Sequence, residues 1–588
     1  MINVQRWLKQ IGSDRFDEVN DITIFDNQIY LTGVTGGSFS PGLEKEDVGF
    51  DAWLGRFDLT TGNQEWVVQL GSDPLFNIPS DAGNGVATDS TGNVYLVGET
   101  EGTFGNAQGR TDWFIAAYDE SGNLNQLLQI GTDEADVIEE ITIVNDLIYV
   151  VGSTKGTFSD SNPDAARQIW VAEYSLNLER NWITEFTVNN NSFSEPTGVV
   201  IEGNNLLVVG NTRDEENNID GWLGRLDRNN PDAAPIITSI ASSDSNRDTV
   251  NDLTIDSAGN IYVTGETSGT VSTDANANFG SQDGWLGKYR FDNGTFNNEW
   301  ITQIGTPQDD RAMAVITTAD DDSDSDSDDN IIVTGETEGV IDFDNQRNLG
   351  DPENSQAGLP ILETNRGSVD VFFIQFDSAG NGGNPENDPT PSAFGNQSLP
   401  TIQIGSSSTD TVTAIAKDEN QNLHPVGNTF GDLGSTSLGN SDVWLGKYAQ
   451  LASPPLEQQF ILIDETPSPD EALRKPLEDN PGLSRKSFVR SQDNNLGFDI
   501  NYDVSDGNED LIGLAIRIHF DSSKLDFNAL EVDFPFVEIL SSLETTQADI
   551  TPEQEQQIDN GELTAEEAGG WDNNPNTDQF INLTLLDT

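Results

Sequence analysis

A Gly-x-Thr triplet behind a short apolar run recurs seven times, as IYLTGVT, VYLVGET, IYVVGST, LLVVGNT, IYVTGET, IIVTGET and LHPVGNT. Its glycines are Gly33, Gly98, Gly152, Gly210, Gly265, Gly335 and Gly427, and its threonines are Thr35, Thr100, Thr154, Thr212, Thr267, Thr337 and Thr429. The glycines are spaced by 65, 54, 58, 55, 70 and 92 residues. Each interval holds four short strands and their turns.

A second motif follows each triplet: DAWLGRFD, DWFIAAYD, QIWVAEYS, DGWLGRLD, DGWLGKYR, DVFFIQFD and DVWLGKYA. An aromatic residue holds one place in all seven, at Trp53, Phe114, Trp170, Trp222, Trp285, Phe372 and Trp444. Aspartate opens six of them, at Asp51, Asp112, Asp220, Asp283, Asp370 and Asp442. Two weaker strands complete each unit, one of the NDITIF type and one ending in Gln-x-Gly, as in WVVQLG. The segments are short, rich in Val, Ile, Thr, Tyr and Trp, and bounded by Gly, Asn, Asp and Ser, so they read as strands. The turns DSTGN (89–93) and DSAGN (256–260) mark tight hairpins. Four-stranded units that cannot bury both faces alone stack radially. The expected fold is therefore all-β, with residues 1–448 forming a seven-bladed β-propeller.

The phase of the repeat sets the closure. With the NDITIF strand innermost and the WVVQLG strand at the rim, the seventh blade (412–448) has three strands of its own. Residues 4–11 are then predicted to supply its fourth strand, joining the start of the ring to its end. The Gly-Asn-x-Tyr-Val-x-Gly-x-Thr pattern with Asp-x-Trp-Leu resembles the SBBP repeat family of bacterial β-propeller proteins. That resemblance covers about three quarters of the chain. It implies a surface or secreted scaffold and no settled activity.

Blade six carries polar insertions at 320–330, 338–368 and 381–398, expected as surface loops. Residues 449–486 are rich in Pro, Glu and Asp and read as an extended linker. From about 487 strands return, and alternation in FDINYDV and AIRIHF suggests half-buried strands of a sandwich. The run GLAIRIHFDSSKL resembles the early strands of cohesin-like domains, which share a fold with some carbohydrate-binding modules. Helix starts are expected at Thr551-Pro552-Glu553 and at Thr564-x-x-Glu567. The C-terminal domain, 487–588, is expected as a truncated cohesin-like sandwich.

Charge narrows the partners. Lys and Arg total 27 against 101 Asp and Glu, a formal net charge of −74. Such a field repels nucleic acid and anionic membrane surfaces and attracts cations. No cysteine is present, which removes disulfides, thiolate metal sites and cysteine nucleophiles. No stretch approaches the ~18 apolar residues of a membrane span. MINVQRWLKQIG lacks the pattern of a secretory signal. The true start is then missing, export uses another signal, or the protein stays inside.

One propeller face is expected to be lined with carboxylates. One loop set offers Asp14 and Asp17, Asp73 and Asp81, Asp133 and Asp136, Asp244 and Asp248, Asp309 and Asp310, and Asp410; the other offers Glu99, Glu266 and Glu336. Calcium wants six to eight oxygens, and such a rim could supply them. The plainer reading is that these aspartates cap turns and face water. Asp324, Asp326 and Asp328 alternate as in calcium loops but lack the glycine and closing glutamate. Asn560-Gly561-x-Leu563 with Glu567 imitates half an EF-hand, yet Gln556 and Ile558 fall on ligand positions. The two histidines, His424 and His519, read as packing residues. DLTTGNQEW (58–66) resembles a quinoprotein propeller repeat, but in one blade of seven, which argues against a quinone. The fixed aromatic position argues for packing between blades rather than sugar stacking.

The expectation is a non-enzymatic extracellular or cell-surface scaffold, with a polysaccharide or protein module as partner on one propeller face. No catalytic, cofactor or metal residue is singled out, and calcium is the one cofactor the charge suggests. The alternative is a glycan-acting enzyme, a hydrolase or lyase, using carboxylates near the propeller axis.

Overall fold

The computed structural model describes residues 2–451 apart from 40–48, 74–79, 159–166, 189–192, 215, 243–246, 272–278, 319–329, 340–366, 377–401 and 434–436. Beyond 451 it describes four strands. The chain divides into two units, Met1–Ser453 and Pro454–Thr588. Among the described residues every regular element is a β-strand, and no helix is long and apolar enough to cross a membrane.

The first unit begins with β1 (Ile2–Ile11). Four-stranded antiparallel sheets then follow one another along the chain. The first sheet holds β2 (Asp17–Phe25), β3 (Gln28–Thr35), β4 (Asp51–Asp58) and β5 (Gln64–Leu70). The second holds β6 (Asp81–Thr88), β7 (Val94–Thr100), β8 (Asp112–Tyr118) and β9 (Leu124–Ile130). The third holds β10 (Asp136–Val144), β11 (Leu147–Thr154), β12 (Gln168–Ser175) and β13 (Arg180–Phe186). In the fourth, β14 (Phe193–Glu202), β15 (Asn205–Arg213), β16 (Ile219–Asp227) and β17 (Ile236–Ile240) pair in order. The fifth contains β18 (Arg247–Ile255), β19 (Ile261–Thr267), β20 (Asp283–Asp292) and β21 (Thr295–Ile304). The sixth contains β22 (Asp310–Thr318), β23 (Asn330–Thr337), β24 (Asp370–Phe376) and β25 (Ile402–Ile404). The last is built from β26 (Asp410–Lys417), β27 (Leu423–Thr429), β28 (Asp442–Leu451) and β1. A short parallel pairing, Ile219 with Arg247 and Asp220 with Asp248, links the fourth and fifth sheets.

The arrangement is that of a β-propeller. The first strands of successive sheets touch in order from β2 through β6, β10, β14, β18 and β22 to β26, and β26 touches β2. β1 runs antiparallel to β28, with Trp7 opposite Lys447 and Gln10 opposite Trp444. β28 continues to Leu451, three residues into the segment expected as linker, because β1 starts at Ile2 and pairs with it there.

Local chemistry explains the strands and their turns. Asp26-Asn27 and Asn145-Asp146 take positive φ at the first hairpins of sheets one and three, as two-residue hairpin turns require. In DSTGN, Asp89 accepts from the backbone N–H groups of Thr91 and Asn93, at 2.8 and 3.0 Å. The fixed aromatics Trp53, Phe114, Trp170, Trp222, Trp285, Phe372 and Trp444 are fully buried. Their clusters lie between neighbouring sheets; one joins Trp113 and Ile115 to Ile141, Val150 and Trp170. Each such side chain contributes roughly 1.5–3 kcal/mol on burial. The triplet glycine makes room for them. A Cβ on Gly152 would lie 2.1 Å from the Val137 carbonyl oxygen and 2.5 Å from the Trp170 ring.

In the second unit, β29 (Leu514–Phe520), β30 (Val537–Glu538) and β31 (Thr545–Gln547) all pair with β32 (Gln579–Asp587). The facing layer of the expected sandwich, the helix starts at Thr551 and Thr564, and the half EF-hand near Asn560 lie outside the described residues. So do Asp324, Asp326 and Asp328, nearly all of the blade-six insertions and the linker from residue 452 onward.

Candidate functional site

Six of the aspartates expected on the rim are buried. Asp17, Asp81, Asp136, Asp248, Asp310 and Asp410 are fully buried at the heads of the first strands. A Ser or Thr upstream donates to each: Ser13 and Ser72 through backbone N–H at 2.5 and 2.8 Å, and likewise Thr132, Ser242, Thr306 and Ser406. The triplet threonines Thr35, Thr154 and Thr267 donate to Asp17, Asp136 and Asp248. Burial pushes the Asp17, Asp81, Asp136 and Asp410 carboxyls up and that of Asp310 up to about 6, against these hydrogen bonds. These six carboxylates do not face water as the plainer reading had it; they are buried, and their hydrogen bonds tie strand ends together. Asp14, Asp73 and Asp133 remain exposed, and Asp244 lies outside the described residues. Among the described residues no three acids or histidines are grouped to hold a metal ion.

The Gln-x-Gly strand has a similar purpose. Gln10, Gln69, Gln129, Gln303 and Gln403 donate to Asp442, Asp51, Asp112, Asp283 and Asp370, at 2.8 to 3.3 Å. In the third sheet acid and amide have exchanged places, as Gln168 and Glu185. Glu185 accepts the Phe158 N–H at 2.7 Å, as Gln129 accepts that of Phe104.

Carboxylates do gather where the first strands meet. Each first strand carries a β-bulge, and the residue after it is Asp21, Gly85, Glu140, Gly198, Asp252, Ala314 or Ala414. Acids thus stand on sheets one, three and five, with small residues between. Asp21 accepts the Val86 N–H of the next sheet at 2.7 Å, and Asp252 that of Val315 at 2.9 Å. The bulged residues staple neighbouring sheets too. Asn20, Asn84, Thr197 and Asn251 donate to the carbonyls of Gly83, Ile138, Val250 and Ala312. Burial pushes the Asp21 and Asp252 carboxyls up to about 7 and Glu139 up to about 8; Glu140 rises as well, with repulsion from Asp21 adding to burial. Sequence reasoning allowed for carboxylates near the axis but named none of these residues, although the Asn-Asp-apolar-Thr-Ile repeat at 20–24 and 251–255 is their signal.

The glutamates of the second loop set are paired with arginine. Glu266 binds Arg247 at 2.5 Å and Arg311 at 3.1 Å, and Glu336 lies 3.5 Å from Arg311. Glu99 feels the Arg167 charge, though burial outweighs it and raises its carboxyl. Beside them, between the fourth and fifth sheets, is a cleft of about 180 Å3 lined by Phe193, Glu195, Asn211, Thr212, Arg213, Ile219, Arg247 and Thr249. Arg167 pairs with Glu195, and the guanidinium carbons of Arg167 and Arg213 lie 4.8 and 5.6 Å from the Phe193 ring centroid.

His424 is fully buried and does more than pack. Tyr95 and Tyr262 donate to Asp89 and Asp256, and His424 Nε2 holds the matching place on Asp418 at 3.3 Å. Lys447 Nζ shares that carboxylate at 3.2 Å. The side chain of His519 lies outside the described residues.

A family model described as SBBP, beta-propeller repeat, matches residues 65–105 and 240–271. Among curated protein sequences none matches this chain. Similar solved structures include the polysaccharide lyase Uly1, with 11% identity and a TM-score of 0.38 over 74% of this chain and 90% of that one. The quinohemoprotein alcohol dehydrogenase from Comamonas testosteroni has 10% identity and a TM-score of 0.39 over 78% of each chain. The α-L-arabinanase from Penicillium chrysogenum has 12% identity and a TM-score of 0.35 over 57% of this chain and 94% of that one.

Proposed function

We propose that residues 1–448 are a seven-bladed propeller closed by the N-terminal strand, followed by a linker and a cohesin-like sandwich. We read the protein as a non-enzymatic binding scaffold, extracellular or on the cell surface. The pairing of β1 with β28 and the contact of β26 with β2 support the closure. One observation carries the functional reading. The repeated polar residues are spent on holding the frame, whereas the position after each triplet threonine varies freely. That position holds Gly36, Glu101, Lys155, Arg213, Ser268, Glu338 and Phe430. A rigid frame with unlike side chains at one end suits recognition. The ligand class is a polysaccharide or a protein module.

A glycan array followed by a turnover assay tests this. Binding without released sugar is expected, and silence on glycans and protein modules alike would reject it. The second reading, a glycan hydrolase or lyase, draws on Asp21 and Asp252, whose carboxyls stay protonated to near neutrality as a general acid needs. Released sugar, lost on Asp21→Asn or Asp252→Asn, would decide for it.

A further inference from the structure

We propose that the cleft between the fourth and fifth sheets binds one uronate residue of an acidic polysaccharide, with its carboxylate on Arg213 and a ring hydroxyl on Thr249. This rests on the reading that this face binds ligand, and it names the ligand's chemistry.

Charge is the first argument. In a chain with 27 basic and 101 acidic residues, two guanidiniums and a single carboxylate line this cleft. That carboxylate, Glu195, is paired with Arg167, and one of the two guanidiniums, Arg247, is held by Glu266, so Arg213 is the cation the cleft offers. The aspartate that heads six first strands is replaced here by Ser194, which bonds Thr212 at 3.0 Å and brings no charge.

The second argument is unsatisfied chemistry. Thr249 is 4% exposed, yet its Oγ1 has no hydrogen-bond partner. A buried hydroxyl left so is costly, and a small shift of the cleft wall would let a ligand hydroxyl complete it. Arg213 is exposed and lies over Phe193, leaving its guanidinium edge for the two-pronged carboxylate contact that arginine favours. Phe193 and Ile219 add apolar wall for the C–H face of a sugar. A volume of about 180 Å3 falls below the ~300–1,000 Å3 of pockets for drug-sized ligands, which fits one sugar ring.

Calorimetry with the full chain tests the assignment, using oligogalacturonate, neutral dextran, dextran sulfate and polyglutamate as probes. Oligogalacturonate should bind, more weakly as salt rises. Arg213→Ala should lower its affinity at least tenfold with the melting temperature unchanged, and Arg213→Lys should recover part of the loss. Thr249→Val should weaken binding several-fold. No heat with oligogalacturonate, equal binding of dextran sulfate or polyglutamate, or wild-type affinity in Arg213→Ala would each overturn the proposal. If a neutral glycan binds instead and Phe430→Ala abolishes that binding, this assignment falls while the scaffold reading stands.

Discussion

The carboxylate of Asp21 accepts a hydrogen bond from the backbone N–H of Val86 on the neighbouring sheet, at 2.7 Å. Asp252 and Val315 repeat the relationship four sheets further on, at 2.9 Å. An acid placed to crosslink two sheets is also one held away from water among other acids, so burial works against the charge that the bond favours.

The pH dependence follows in sign. The Asp21 and Asp252 carboxyls are raised from 3.8 to about 7 by burial. Between about pH 4 and 7 the folded chain therefore holds more protons at these sites than the unfolded chain, so their contribution to stability is full below pH 4 and is lost as pH rises through 7. Asn keeps an acceptor for the Val86 N–H, gives up the one that serves Ile22, and removes the charge. Asp21→Asn should stabilise the protein at pH 8 by on the order of 2 kcal/mol and have little effect at pH 4.5. Urea unfolding at both pH values checks this; an equal change at both would contradict it.

The pairing of β1 with β28 makes Ile2–Ile11 a strand of the last sheet. Gln10 donates to Asp442 at 2.8 Å and to the Gly431 carbonyl at 2.9 Å, and accepts the Leu433 N–H at 2.9 Å. Gln10→Ala should cost about 1–3 kcal/mol, since it strands buried partners. Deleting residues 1–12 should lower the melting temperature of the whole first unit. A deletion that leaves one unchanged cooperative transition would refute the closure.

Gly152→Ala is expected to destabilise by about 3 kcal/mol, because the new methyl must displace the Val137 backbone or the buried Trp170 ring. Chemical denaturation measures it. Gly203, whose added Cβ would meet nothing within 4 Å, is the control, with only the strain of its φ of +57° to overcome.

His424→Tyr should be tolerated or stabilise by up to ~1 kcal/mol, since tyrosine at this place donates to the turn aspartate in Tyr95 and Tyr262. His424→Phe should cost about 1–3 kcal/mol by depriving Asp418 of a buried partner. Thermal melts of the two variants should diverge, and identical melts would count against the shared role.

Several of these relationships could be read before any coordinates. Strand identity, hairpin turns and the buried aromatic position all follow from local pattern, because a two-residue side-chain period, positive-φ turn residues and a fixed Trp are properties of short segments. The purpose of the Gly-x-Thr triplet was not legible. Its glycine answers to Trp170 and Val137, and its threonine to Asp136, partners 15 to 18 residues away in sequence.

By itself the sequence determined an all-β repeat protein with an acidic surface, and it located the strands that carry each sheet. Tertiary structure alone decided which of 101 acids are spent. Burial and hydrogen-bond partners come from strands brought together by packing, so aspartates alike in sequence end as strand-end ties, sheet crosslinks or exposed groups. The same is true of Arg213 and Thr249, which are unremarked in the repeat and meet only where β14, β15, β16 and β18 come together.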